Sequence, residues 1–170
     1  MSTRSCIIIK VRESDLGKFK KFDPSLLPVK MADWSCYHES EGKELSRKVK
    51  LTKPYIGIYC HSDGYPEGVG KVVKETFPSY EQALNLAIGG DCSVVWYDEV
   101  RRYGNRAGED WKWVKPHLGD TPKKVYEKID CQYCYLFDDD GWKLCKSFER
   151  GKFGEYGQEQ EIEATVSVYR

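Results

Sequence analysis

Hydrophobic and polar positions fall in short blocks along this chain. Ser5 to Val11 is rich in isoleucine and predicts a buried first strand. From residue 12 to 54 the pattern gives way to charge, broken by Pro24, Pro28, Gly42 and Pro54, an excursion from the core with room for a short helix or strand. Tyr55 to Cys60 predicts the second core strand. Val69, Val72, Val73 and Phe77 then fall at helical spacing up to Pro78, which ends that helix. Ser79 followed by Gln82 has the form of a capping box. It opens a second helix whose apolar stripe is Tyr80, Ala83, Leu84, Ala87 and Ile88, closed by Gly89-Gly90.

Cys92 to Tyr97 predicts another strand, and residues 98 to 120 a polar, aromatic loop. Thr121-Pro122 is an N-cap with proline at the first helical position, and Val125, Tyr126 and Ile129 supply a short apolar face. Cys131–Phe137 and Trp142–Phe148 flank the turn Asp138–Gly141, a hairpin signal. A Gly-rich charged loop leads to an edge strand over 162–169. Strands and helices mix without a regular βαβ repeat. The expected fold class is therefore α+β: one domain over 1–170, a mainly antiparallel sheet with two to three helices packed on it, and the charged excursion at about 12–54.

A chain of 170 residues is long enough to bury a core of its own. Lys+Arg and Asp+Glu each number 27, so broad coating of nucleic acid or an acidic membrane surface is excluded and only a focused patch remains open. No apolar run reaches membrane-spanning length, so no membrane partner is expected. Met1 to Arg4 leads straight into the first strand with no signal-peptide pattern, and the seven cysteines are odd in number. Together these predict reduced thiols in a cytoplasmic setting. The 12 tyrosines and 5 tryptophans suit a core, or stacking on bases and ligands.

Chemistry concentrates between Tyr55 and Gly70, where an apolar strand runs into a polar turn and then a glycine-rich helix entry. His61 and Asp63 stand two apart and share a face if the strand continues through them, the arrangement of a general base or metal ligand with its orienting carboxylate. Further metal ligands would have to come from Glu67, Asp91 or His117. Against this stands a plain turn at Asp63-Gly64 with His61 bonded locally, and the balance favours it because no third partner sits at diagnostic spacing. No metal and no cofactor are expected. Gly68 and Gly70 would let backbone amides approach an anion, although the spacing matches neither nucleotide-binding fingerprint and Glu67 would repel one.

Elsewhere, Arg101, Arg102 and Arg106 with Tyr103, Trp111 and Trp113 make a basic-aromatic loop suited to phosphate and bases; Asp98, Glu99, Glu109 and Asp110 can neutralise it. Cys131 and Cys134 have CxxC spacing, but strand positions three apart face opposite sides, so diverging buried thiols are expected. Cys60 and Cys92 are expected in the core. The lysine-rich stretches, Lys18 to Lys21 and Arg47 to Lys53, are expected to be solvated faces. Asp138 to Asp140 lack a calcium loop and predict a solvated turn.

The opening Met1, Thr3, Arg4, Ser5 and the run Tyr59, Cys60, His61, Asp63, Gly64, Tyr65, Pro66, Glu67, Val69, Gly70 resemble the motifs of a family of small uncharacterised phage and prophage proteins. Ser62 stands where many of those proteins have Trp. Gly90-Asp91-Cys92-Ser93 and the hairpin from Tyr135 to Trp142 are similar to further family motifs, and the excursion at 12–54 is longer than in many relatives. The resemblance implies a context, an accessory protein of a phage or mobile element acting in a bacterial cytoplasm.

The expected function is binding, plausibly to counter a bacterial defence system. The partner would be a nucleotide-like ligand, a nucleic acid or a host effector, held through the 59–70 turn and the 101–113 loop by Tyr59, His61, Asp63, Tyr65, Gly68, Gly70, Arg101, Arg102 and Trp111. One alternative is a small metal-dependent hydrolase or nuclease using His61 and Asp63. Another is a structural or interaction protein with no ligand site; a homo-oligomer is open under each reading.

Overall fold

β1 (Ser5–Lys10) is buried from both sides, and that explains its unbroken apolar run. Ile7 and Ile9 face one apolar cluster and Cys6 and Ile8 another, all without exposure. Each isoleucine buried in this way contributes roughly 1.5–3 kcal/mol. The structure, a computed structural model, describes residues 3–28, 47–103, 113–146 and 160–161. Around β1 lie β4 (Tyr55–Cys60), antiparallel, and β8 (Tyr133–Asp138), parallel. β9 (Gly141–Lys146) returns antiparallel to β8, and β10 (Gln160–Glu161) pairs with β9.

On the far side of β4 the ladder divides. Its first half pairs antiparallel with β7 (His117–Gly119), and its last residue, Cys60, pairs in parallel with Cys92 of β5 (Cys92–Val95). β6 (Val100–Arg102) closes that edge antiparallel to β5. The class is α+β with a mainly antiparallel sheet, and the two parallel joints bring strand ends together.

Helices cover both faces. α1 (Lys71–Thr76) and α2 (Tyr80–Ile88) carry Val72, Val73, Leu84 and Ala87 into the larger cluster. α3 (Pro122–Ile129) lays Val125 and Tyr126 on the opposite face. The expected caps are in place: Ser79 and Gln82 form the reciprocal capping box, and Thr121 accepts from Lys124 N. The charged excursion contributes two short 3₁₀ turns and a small separate sheet of β2 (Phe19–Lys21) and β3 (Lys48–Lys50). Arg47, expected on a solvated face, is buried. No helix among the described residues is long and apolar enough to cross a membrane.

Two further expectations need correction. Residues 98–120 are more than a loop, because β6 and β7 form there and each finds a partner edge in the sheet. The thiols of Cys131 and Cys134 do not diverge: β8 begins only at Tyr133, so Cys131 lies in the turn after α3 and packs with Cys134, Cys6 and Cys145 in the smaller cluster. These cysteines, with Cys60 and Cys92, are buried; the Cys6 thiol and burial hold Cys131, and burial and the Cys145 and Cys6 thiols hold Cys134, well above the ordinary thiol range. The final strand expected over 162–169 lies outside the described residues.

Candidate functional site

The parallel joint between β4 and β5 builds the corner. Both chains leave the sheet in the same direction, and the pairing continues past the strand ends through His61 N to Cys92 O and Ser62 N to Ser93 O. Asp63 then takes a left-handed conformation (φ 57°), which aspartate tolerates better than most side chains. The chain turns into a widened helical turn, Pro66–Gly70, that feeds α1. Across from it, Trp96 N bonds Glu99 O at the tip of the β5–β6 hairpin.

Between this tip and the 63–68 turn lies an open groove of about 600 Å³, within the size range of ligand clefts. Its floor is Gly68 and Val72. Its walls are three aromatic residues, Tyr65, Trp96 and Tyr97, and three acids, Asp63, Glu67 and Asp98. The rings are 37–39% exposed, an unusual allowance for side chains of this size. Asp63 is held by two neutral donors, Trp96 Nε1–H at 3.0 Å and Tyr65 Oη–H at 3.2 Å. Its charge, ahead of burial, raises the Tyr65 hydroxyl above the ordinary tyrosine value. Tyr97 donates to Glu75 Oε2 at 2.8 Å, and burial together with that bond pushes its hydroxyl up to about 12. Glu67 Oε1 is closed off from solvent with no hydrogen-bond partner.

His61 and Asp63 bond to different neighbours. The strand ends at Cys60, and the left-handed turn at Asp63 sends the two side chains to different neighbours. His61 Nδ1 lies 2.7 Å from Tyr59 Oη, with the donor set by the tautomer, and Tyr59 packs on the α3 face. Burial raises the Tyr59 hydroxyl. Asp91 accepts from Tyr59 N at 2.9 Å and faces His117 Nε2 at 3.7 Å. Among the described residues no group of three or more His, Cys, Asp or Glu side chains is placed to hold a metal ion.

Gly68 and Gly70 serve space. A Cβ on Gly68 would lie 2.1 Å from Asp63 O, and one on Gly70 2.8 Å from the Tyr135 ring. The amides here are engaged internally, Gly68 N with Tyr65 O and Val69 N with Asp63 O, so they present no anion nest.

Of the three arginines in the expected basic patch, Arg106 lies outside the described residues and the other two divide. Arg101 forms a bidentate pair with Glu99 at 2.8 and 3.0 Å and lies over the Trp96 ring at 5.6 Å. Arg102 is not available to a ligand. It is 2% exposed and donates to Leu86 O and Gly90 O at the C-terminus of α2, where a cation offsets the helix dipole. β6 alternation sends adjacent arginines to opposite faces. Trp111 lies outside the described residues.

Trp96, Tyr97 and Asp98 were missing from the expected site. Their signal was an exposed aromatic pair at the end of an apolar strand; only the parallel pairing of β4 with β5 sets it beside Asp63. No family model, curated protein or solved structure matches this chain.

Proposed function

We propose that the protein is a binding protein that engages a bacterial host effector through the groove between the 63–68 turn and the β5–β6 tip. The accessory role in a phage or mobile element, directed against a host defence, rests on the motif resemblance. The observation that carries the binding reading is the groove itself: three half-exposed rings and three carboxylates around about 600 Å³. Core packing gives no reason to leave such rings exposed, whereas interfaces favour tyrosine and tryptophan.

Of the three partner classes, a host protein fits best. Phosphate-bearing ligands would meet three acids and, among the described lining residues, no basic side chain, with Arg101 engaged by Glu99 and Arg102 buried. Hydrolysis is the weaker reading because His61 and Asp63 have separate partners.

Native mass spectrometry of the protein purified from defence-bearing bacteria tests this. The expected result is a stoichiometric host protein on the wild type that Trp96→Ala releases. A purified protein that turns over a nucleotide or nucleic acid, and loses that turnover on His61→Ala, would replace the proposal with the enzyme reading.

A further inference from the structure

We infer that the groove receives a cationic side chain, an arginine guanidinium, presented by the partner protein; this rests on the binding reading above. Charge complementarity carries it. The lining contains Asp63, Glu67 and Asp98 and, among the described residues, no lysine or arginine. None of the three carboxylates has a counter-ion among the described residues. Asp63 has only its two neutral donors, Glu67 Oε1 has no partner behind the wall, and the exposed Asp98 makes no hydrogen bond or ion pair with a described residue. One residue further on, Glu99 is fully engaged by Arg101. Carboxylates gathered without a counter-ion repel one another, and a cation entering between them relieves that repulsion.

The rings select the kind of cation. Trp96 and the two tyrosines offer π faces, which attract a weakly hydrated, planar cation more strongly than a compact, well-hydrated one. The molecule already contains the pairing in miniature: Arg101, itself no part of the groove lining, lies over the Trp96 ring at 5.6 Å with its guanidinium forked onto Glu99. A guanidinium entering the groove finds the same kinds of element, the Tyr65 and Tyr97 rings and the Asp98 carboxylate, with no cation from a described residue against them. Arginine is also enriched among the residues that anchor protein interfaces.

The test is a titration of the nitrogen-labelled full chain, followed by NMR through the Trp96 indole N–H and the amides of residues 63–68. The probes are the blocked tripeptide acetyl-Gly-Arg-Gly-amide, its neutral citrulline analogue, its glutamate analogue, and adenosine monophosphate. The expected result is a saturable shift with the arginine peptide, weaker by roughly tenfold with citrulline, absent with glutamate, and lost in about 0.5 M salt. Asp98→Asn, a change at an exposed position, is expected to weaken the arginine peptide by about threefold while the spectrum keeps its folded dispersion. Equal shifts from arginine and citrulline, or none from either, overturn the inference. Adenosine monophosphate moving these resonances while the arginine peptide does not overturns it too, yet leaves a binding site in place. The binding reading fails separately, when no Trp96-dependent partner is retained in native mass spectrometry.

Discussion

Two clusters of charged and aromatic side chains flank the β5–β6 hairpin, and they are built to opposite ends. Behind the C-terminus of α2, Arg102 donates to Leu86 O and Gly90 O, while Arg47 Nη1–H and Trp113 Nε1–H both donate to Gly89 O. Arg47 also lies over the Trp113 ring at 5.4 Å. This knot is closed to solvent: two buried cations meet the carbonyls that a helix end leaves without partners. In the groove beside the hairpin tip the lining charges are acids, the rings are half exposed, and Asp63, Glu67 and Asp98 have no counter-ion among the described residues. Basic-aromatic composition, the usual mark of a phosphate site, here terminates a helix, and acidic-aromatic composition forms the groove. Residue type nominates a site; the state of its partners decides whether anything is left to bind.

The sharpest way to break this contrast is at the closed cluster. Arg102→Met removes the charge and strands two helix-end carbonyls, so a loss of about 3 kcal/mol is expected in urea unfolding, with the groove's titration by the arginine peptide unchanged. A loss below about 1 kcal/mol would show that the knot is not closed. Gly68→Ala comes next. Its Cβ would sit 2.1 Å from a backbone oxygen, which has no flexible end to swing away. A loss of about 2 kcal/mol by thermal melting, together with a displaced Trp96 indole resonance, is expected. An unmoved indole signal would separate the glycine from the groove.

The closed side extends along α2 to its first residue. Tyr80 Oη–H donates to Asp15 Oδ2 at 2.6 Å, and Lys20 pairs with Oδ1 at 2.9 Å. Burial pushes the Asp15 carboxyl up, but these two partners outweigh it and hold it below the ordinary value of 3.8. A carboxyl lowered by folding stabilises the protein above its unfolded pKa, and that contribution fades as pH falls through the lowered folded value. Asp15→Asn should therefore cost about 1 kcal/mol at neutral pH and flatten the decline below pH 3.8. Wild type and variant falling in parallel through that range would remove Asp15 as the cause. The smallest effect belongs to the open side. Trp96→Ala is expected to change stability by only about 0.5 kcal/mol in the same urea assay while abolishing the groove's response to the arginine peptide. A loss as large as that of Arg102→Met would make Trp96 a core residue and end the contrast.

Much of the fold was legible beforehand because its signals are local. The isoleucine run of β1, the Ser79–Gln82 capping box, the Thr121-Pro122 helix start and the Asp138–Gly141 turn each act within a few residues, and each forms as its side chains dictate. The 59–70 turn was legible as a strand end for the same reason. Its chemistry was not, since facing of His61 and Asp63 depended on whether the strand continued, and a single left-handed residue ended that. The CxxC pair failed in the same way: a strand beginning two residues later than Cys131 put both thiols on one face.

By itself the sequence determined the α+β class, most helix boundaries, the buried strands and the place where a polar corner would emerge, because hydrophobic periodicity and capping are written in neighbouring residues. Tertiary structure decided which charges meet. The parallel joint of Cys60 with Cys92 carries Trp96 to Asp63 across more than thirty residues of chain, and β6 alternation turns Arg102 inward and Arg101 outward. Strand order and direction set those encounters, and neither is encoded in the spacing of any one segment.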